Sequence, residues 1–420
     1  MRNHPGIEAH LFRRESARMV AALTRLFGVH NLALAEDVVQ DAFYRALETW
    51  KVRGVPDNPS AWLMSAAKNR AIDVVRRERT SRTFAPELGR LLETEWTLAP
   101  AVAEAFAAHT IRDEQLRMMF SCCHPGVAED AQVAVVLNLL CGFGAGEIAS
   151  AFLSSRAAIE KRISRAKKAL ASEGALFDLG ATEFVTRLAA VRRALYLLFN
   201  EGYHGASAAT LVRPELCEEA LRLTALLLEY PPASTTTTAA LGALMCLHAA
   251  RLPARVDVNG ELTALAAQDR TKWDPLLLSQ GIALFEQSAA GEQISAYHVE
   301  AAIAAAHASA RTLEETDFAT IVALYDRLMS IAPSPVVALN RAIAIGELQG
   351  PAHGLAALDA IEDRERLASY PFYPAARAEL ELRRGQRRRA ETQFRAALAL
   401  ARNDAERRFL ERRLRSAADA

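Results

Sequence analysis

Cysteine is scarce in this 420-residue chain, and no two of its five cysteines (Cys122, Cys123, Cys141, Cys217, Cys246) stand in a C-x-x-C pair. That spacing excludes the common structural zinc sites. An odd count without a leader-like N-terminus fits a reducing cytoplasm better than a secreted disulfide scaffold. Long apolar runs are missing too. The longest uncharged stretch, 230–250, opens Tyr-Pro-Pro-Ala-Ser and carries four threonines. It reads as a turn and a buried helix, not a membrane span. Net charge is absent, with 50 Lys+Arg against 50 Asp+Glu, which excludes a general polycation. Nor is there a nucleophile triad, a pair of carboxylates in a plausible cleft or a nucleotide-binding fingerprint. No enzyme activity, metal or cofactor is expected.

What is present is helix. Half of the chain (51%) is hydrophobic, aromatics make up 7%, and apolar residues recur three and four positions apart. In the segment from Asp37 to Trp50, the spacing places Val39, Phe43, Leu47 and Trp50 on one face, with acidic residues largely on the others. No segment alternates for long, so the fold class is all-α. The length has room for about two to four domains. Residues 1–80 read as one helical block, broken by the Pro- and Asn-rich segment 53–60. Residues 81–107 read as a linker, 108–174 as a second compact block, and 180–420 as successive helical hairpins.

Charge is clustered within the neutral whole. Lys68 to Arg82 holds six basic and two acidic residues, Arg156 to Lys168 six and one, and Glu36 to Glu48 four acids and one base. The second basic segment lies in the sharpest motif, Glu147 to Leu170. Ile148, Ala149 and Phe152 form the inner face of a short helix, and Ser154-Ser155 supplies a turn and an N-cap. Ile159, Ile163, Ala166 and Leu170 form the inner stripe of the next helix. Its outer face carries Arg156, Glu160, Lys161, Ser164, Arg165 and Lys168. This is a helix-turn-helix whose second helix suits a major groove. Leu153 stands where the turn often has glycine. The first basic segment follows the loop Pro56-Asp-Asn-Pro-Ser60 and a helix carrying Lys68, Asn69, Arg70, Arg76, Arg77 and Arg79. Trp62, Leu63, Ala66, Ile72 and Val75 are expected inside. Such a loop beside a basic helix could hold an unstacked base, although Trp62 by itself reads as core.

Taken together, these segments resemble the extracytoplasmic-function (ECF) sigma factors of bacterial RNA polymerase over residues 1–174. Ala35-Glu-Asp-Val-Val-Gln-Asp-Ala-Phe43 resembles their region 2 helix. The likeness implies docking on the β′ clamp helices of the core polymerase through Asp37, Gln40, Asp41 and Arg45, with Phe43 anchored beneath. Asn58-Pro-Ser-Ala-Trp-Leu63 through Arg70-Ala-Ile-Asp73 resembles the segment that opens the −10 element. Asn58, Ser60, Ala61 and Trp62 would shape the base pocket, with Lys68, Asn69 and Arg70 on the opened strand. The helix-turn-helix resembles region 4, which sits at the β flap and reads the −35 element; its six outer residues would hold the duplex.

In the last hairpin, Gly385, Ala390, Phe394 and Ala397 fall at tetratricopeptide spacings. Gly350 lies 35 positions before Gly385, near the roughly 34-residue repeat, with Leu358 and Ile361 in the corresponding places. Phe120-Ser-Cys-Cys-His-Pro125, Leu195 to Tyr203, Gln268-Asp-Arg-Thr-Lys-Trp-Asp274 and Pro333 to Ala342 resemble the ECF subgroup with a long tetratricopeptide-like extension. That likeness implies a cytoplasmic protein with promoter DNA and polymerase as partners and no membrane. It also implies an extension that regulates or supports activity; its partner is left open among a protein, a small molecule, the polymerase and its own sigma domains. Tyr203, Trp273 and Tyr297 read as core and caps. Cys122-Cys123-His124, His298 and His307 do not read as metal ligands. Gly142 to Gly146 reads as a helix end rather than a phosphate loop. The competing reading is a helix-turn-helix regulator with an α-solenoid sensor that is not a polymerase subunit; a third is an interaction scaffold.

Overall fold

The computed structural model describes residues 5–27, 31–78, 108–124, 126–151, 154–172, 181–204, 212–257, 261–291 and 293–419. The segment read as a linker, 81–107, lies outside them. Every described element is a helix, apart from one isolated antiparallel bridge between Val256 and Leu262. The chain forms two compact units, Met1–Leu198 and Phe199–Ala420.

The first unit opens with α1 (Pro5–Phe27), α2 (Leu32–Arg53) and α3 (Pro59–Glu78). α1 contributes Met19, Leu23 and Phe27 to the core, and α2 contributes Val38, Val39 and Trp50. Between these stand Ala35, Ala42 and Ala46, which bring the helices close. α3 buries Leu63, Ala67, Ala71 and Val74. This is one register away from the stripe expected from the sequence: Trp62, Ala66 and Ile72 are half-buried at its margin. The alanines set that register, because a small side chain lets α3 lie closer to α1 and α2 than isoleucine would. The side chain of Val75 lies outside the described residues. α4 (Ala108–Cys122) packs along α1, and α5 (Glu129–Leu139) is buried along most of its length. α6 (Ala145–Ala151) and α7 (Arg156–Ser172) complete the unit, together with the first part of α8 (Ala181–His204).

The second unit continues with α9 (Pro214–Glu229), α10 (Thr236–Ala249), the short α11 (Leu252–Arg255), α12 (Pro275–Ser288) and α13 (Ala296–Ser309). α10 is apolar on all sides, and 11 of its 14 residues are buried, as suits a central helix surrounded by α9, α12 and α13. It is the buried helix expected in 230–250. Its start is fixed by Thr235, whose hydroxyl accepts from the Thr238 N–H at 3.2 Å. Asp274 caps α12 in the same way, with Pro275 at the first helical position. His298 closes a capping box with Ser295 at the start of α13. Among the described residues no helix is long and apolar enough to cross a membrane.

The remaining helices are α14 (Phe318–Ile331), α15 (Pro335–Leu348), α16 (Pro351–Asp359), α17 (Phe372–Arg383), α18 (Arg387–Ala399) and α19 (Asp404–Asp419). The hairpins α15–α16 and α17–α18 turn at Gly350 and Gly385, whose φ values of 92° and 73° are unfavourable for any side chain. Gly354 lets α16 meet α15: a Cβ there would lie 2.8 Å from the Gly346 Cα. Ala390, Phe394, Ala397 and Leu358 are fully buried, and Ile361 nearly so.

His307, on α13, is held well below the ordinary histidine value, at about 4, by burial and by the positive charges of Arg251 and Arg270. The unfolded chain therefore takes up this proton first, and stability falls as pH drops from about 6.5 to about 4. His307→Gln is expected to reduce that fall, read by chemical denaturation across the interval. Phe394→Ala is expected to cost the C-terminal unit about 3–5 kcal/mol in the same measurement.

Candidate nucleic-acid interface

The α6–α7 segment, expected from the sequence to be a helix-turn-helix, is built by its caps. The Glu147 carboxylate accepts from the Gly144 N–H at 2.9 Å at the start of α6, and the Ser155 hydroxyl accepts from the Ala158 N–H at 3.2 Å at the start of α7. The Ser154 N–H donates back to the Ala149 carbonyl, closing the turn. Phe152 and Leu153 lie outside the described residues. Ile148 and Ala149 of α6 are buried, as are Ile159, Ile163, Ala166 and Leu170 of α7. The six residues expected on the outer face (Arg156, Glu160, Lys161, Ser164, Arg165 and Lys168) are all exposed. Arg156 and Glu160 pair one turn apart at 2.8 Å, a geometry that holds both along the helix start.

α7 also meets α2. Lys167 donates to the Glu36 carboxylate at 2.5 Å, with about a quarter of each side chain exposed. Beside this pair runs a groove of about 440 Å³, lined by Leu32 and Ala33 on one side and by Glu160, Ser164 and Lys168 on the other. This contact was not legible beforehand, because nothing in the period of either helix names a partner 131 positions away.

On α2, Asp37, Gln40 and Arg45 are exposed and Asp41 is half-buried. Leu47, expected inside, is 53% exposed, and Tyr44 is 65% exposed. Both lie on the arc of Asp37 and Gln40, at helical spacings of three, four and seven, and point away from Ala42 and Ala46. An aromatic residue outside the apolar stripe was the available signal for Tyr44. Phe43 is half-buried and its ring stands 4.9 Å from that of Phe12. The aromatic chain continues from Phe12 to Trp50 at 5.6 Å, and from Trp50 edge-on to Trp62 at 5.5 Å.

This chain of rings fixes the start of α3. There the Asn58 side chain accepts from the Ala61 N–H at 3.0 Å, capping the helix, and Pro59 follows. Ser60 and Trp62 are half-buried, Ala61 exposed. Further along, Lys68 is half-buried and Asn69 exposed. The side chains of Arg76 and Arg77 and the whole of Arg79 lie outside the described residues. Arg70 donates to Asp41 at 2.7 Å. The sequence assigned these two to different surfaces; the fold joins them, so that Arg70 orients the Asp41 carboxylate.

Residues 11–81, the span of α1 to α3 with its aromatic chain, match the sigma-70 region 2 family. Residues 187–289 match a family of unknown function (DUF6596). An uncharacterized protein of Rhizobium meliloti is 38% identical over 398 residues, covering 94% of this chain and 92% of its own. The chain belongs to the family of that protein. Its N-terminal domain is a sigma-70 region 2, which gives this family member a sigma factor-like role in promoter recognition with RNA polymerase. Region 2 is a part of transcription initiation factors, not of enzymes.

Lys167→Gln removes the tie between α7 and α2. Exposed or half-exposed pairs contribute no more than about 1 kcal/mol, so the fold should survive. Amide exchange in α7 is expected to speed up severalfold with α1 and α3 unchanged, as read by hydrogen exchange.

Proposed function

We propose that the chain is an ECF-type sigma factor: it binds bacterial core RNA polymerase, recognises −35 and −10 elements and drives initiation in the cytoplasm. The observation that carries this is the sequence of parts in one chain. A region 2 match over α1–α3 is followed by a helix-turn-helix whose recognition helix presents four basic residues to solvent. In this reading the exposed arc of α2, from Asp37 and Gln40 to Tyr44 and Leu47, docks on the β′ clamp helices, with Asp41 held by Arg70 and Arg45 at its edge. The start of α3, Asn58 to Trp62, shapes the −10 pocket, and Lys68, Asn69 and Arg70 follow the opened strand. Arg70 reaches that strand by exchanging Asp41 for phosphate. α7 enters the major groove at the −35 element beside the β flap, its basic side chains on phosphates and its first turn at base edges. The C-terminal hairpins form a tetratricopeptide-like extension that modulates activity. The turn glycines and the buried Ala390, Phe394 and Ala397 support it.

The test is run-off transcription from a cognate promoter with purified core polymerase. Leu47→Asp with Tyr44→Ala is expected to abolish the transcript while −35 duplex binding is kept. Continued transcription from this variant would favour the free-standing regulator with a solenoid sensor. Arg165→Ala or Lys168→Ala should weaken DNA binding on all sequences and lower the salt slope by about one each. Glu160→Ala or Lys161→Ala should alter sequence preference instead, as measured by binding to operator variants.

A further inference from the structure

We infer that the C-terminal unit binds an anion, the carboxylate or phosphate group of a small molecule, at a site floored by Arg251 and flanked by Arg255, with Tyr203 and Trp273 as its aromatic walls.

Arg251 follows α10 and is 9% exposed. Its Nε donates to Gln268 at 3.4 Å, and its guanidinium stands 5.6 Å from the centre of the Trp273 ring. Its two terminal nitrogens bond nothing among the described residues, yet they are not sealed from solvent. Arg255 approaches from α11, donating through Nε to the Tyr203 carbonyl at 3.1 Å with its guanidinium 4.1 Å from the ring centre. The Arg270 guanidinium also stands over the Trp273 ring, 5.3 Å from its centre. That residue is occupied in structure: it donates to the carbonyls of His307 and Ala310 and to the Thr316 hydroxyl.

Three arginines thus converge, and among the described residues none of them forms an ion pair with a carboxylate. The groups that act on Arg251 are the Tyr203 and Tyr325 side chains and, as like charges, the other two arginines; no carboxylate is among them. Burying a guanidinium is costly unless an opposite charge accompanies it. Elsewhere in this unit the chain supplies one, as Glu379 does for Arg413 and Glu406 for Arg402. At Arg251 it does not. A second observation agrees: the Trp273 indole N–H is buried without an acceptor. What is missing is negative oxygen. Arginine's planar fork suits carboxylate and phosphate. Tyr203, Arg251, Arg255 and Trp273 all fall within the match to the family of unknown function, and the site stands whether or not the chain is a sigma factor.

The experiment is thermal unfolding of the full chain with sodium phosphate, sodium acetate or sodium chloride at equal ionic strength, followed by tryptophan fluorescence. Phosphate or acetate is expected to raise the unfolding temperature saturably above chloride. Whichever acts identifies the group. Arg251→Gln and Arg255→Gln should each weaken the apparent affinity at least tenfold, and Arg165→Ala, on the recognition helix, should leave it unchanged. If Arg251→Gln does not fold, Arg255→Gln on the half-buried side decides. Equal shifts with all three salts would overturn the site. So would saturable binding that survives Arg255→Gln, or that disappears in Arg165→Ala.

Discussion

The whole chain depends on how closely its helices can approach. With few aromatics to fill wide gaps, the cores are closed by alanine and glycine: Ala35, Ala42 and Ala46 on α2, Ala67 and Ala71 on α3, Gly354 against Gly346 between α15 and α16. Each small residue brings two backbones together and leaves the larger side chains to interdigitate at the edges. The large side chains that do lie inside include Phe394 between α17, α18 and α19, and Trp50, against which the half-buried rings of Phe12 and Trp62 rest.

That constraint explains what could be read from the sequence. The inner stripe of α7 was legible because isoleucine, alanine and leucine follow the helical period without interruption. The turn glycines at 350 and 385 were legible because no other residue takes their backbone conformation cheaply. α10 was legible because nothing charged interrupts it. The register of α3 was not, since alanine carries little hydrophobic signal and the eye follows Trp62 and Ile72 instead. Leu47 misled in the opposite direction, an apolar residue on an outer arc. The pairs Asp41–Arg70 and Lys167–Glu36, and the convergence of Arg251, Arg255 and Arg270, were beyond reach. Periodicity states which face is buried and says nothing about which distant charge it will meet.

The first unit uses its charges twice. Arg70 and Lys167 both belong to segments whose basic character points to nucleic acid, and both are bonded to carboxylates of α2. The pairs join the acidic stretch of α2 to two basic helices, and surface pairs of this kind exchange one anionic partner for another at small cost.

The five cysteines are all reduced and buried. Burial pushes the thiols of Cys122, Cys217 and Cys246 up to about 12, and that of Cys123 well above its ordinary value. Thiolate is the nucleophile that attacks peroxides and disulfides, and these four sites hold almost none of it. At these four buried thiols an oxidant therefore meets no ready nucleophile.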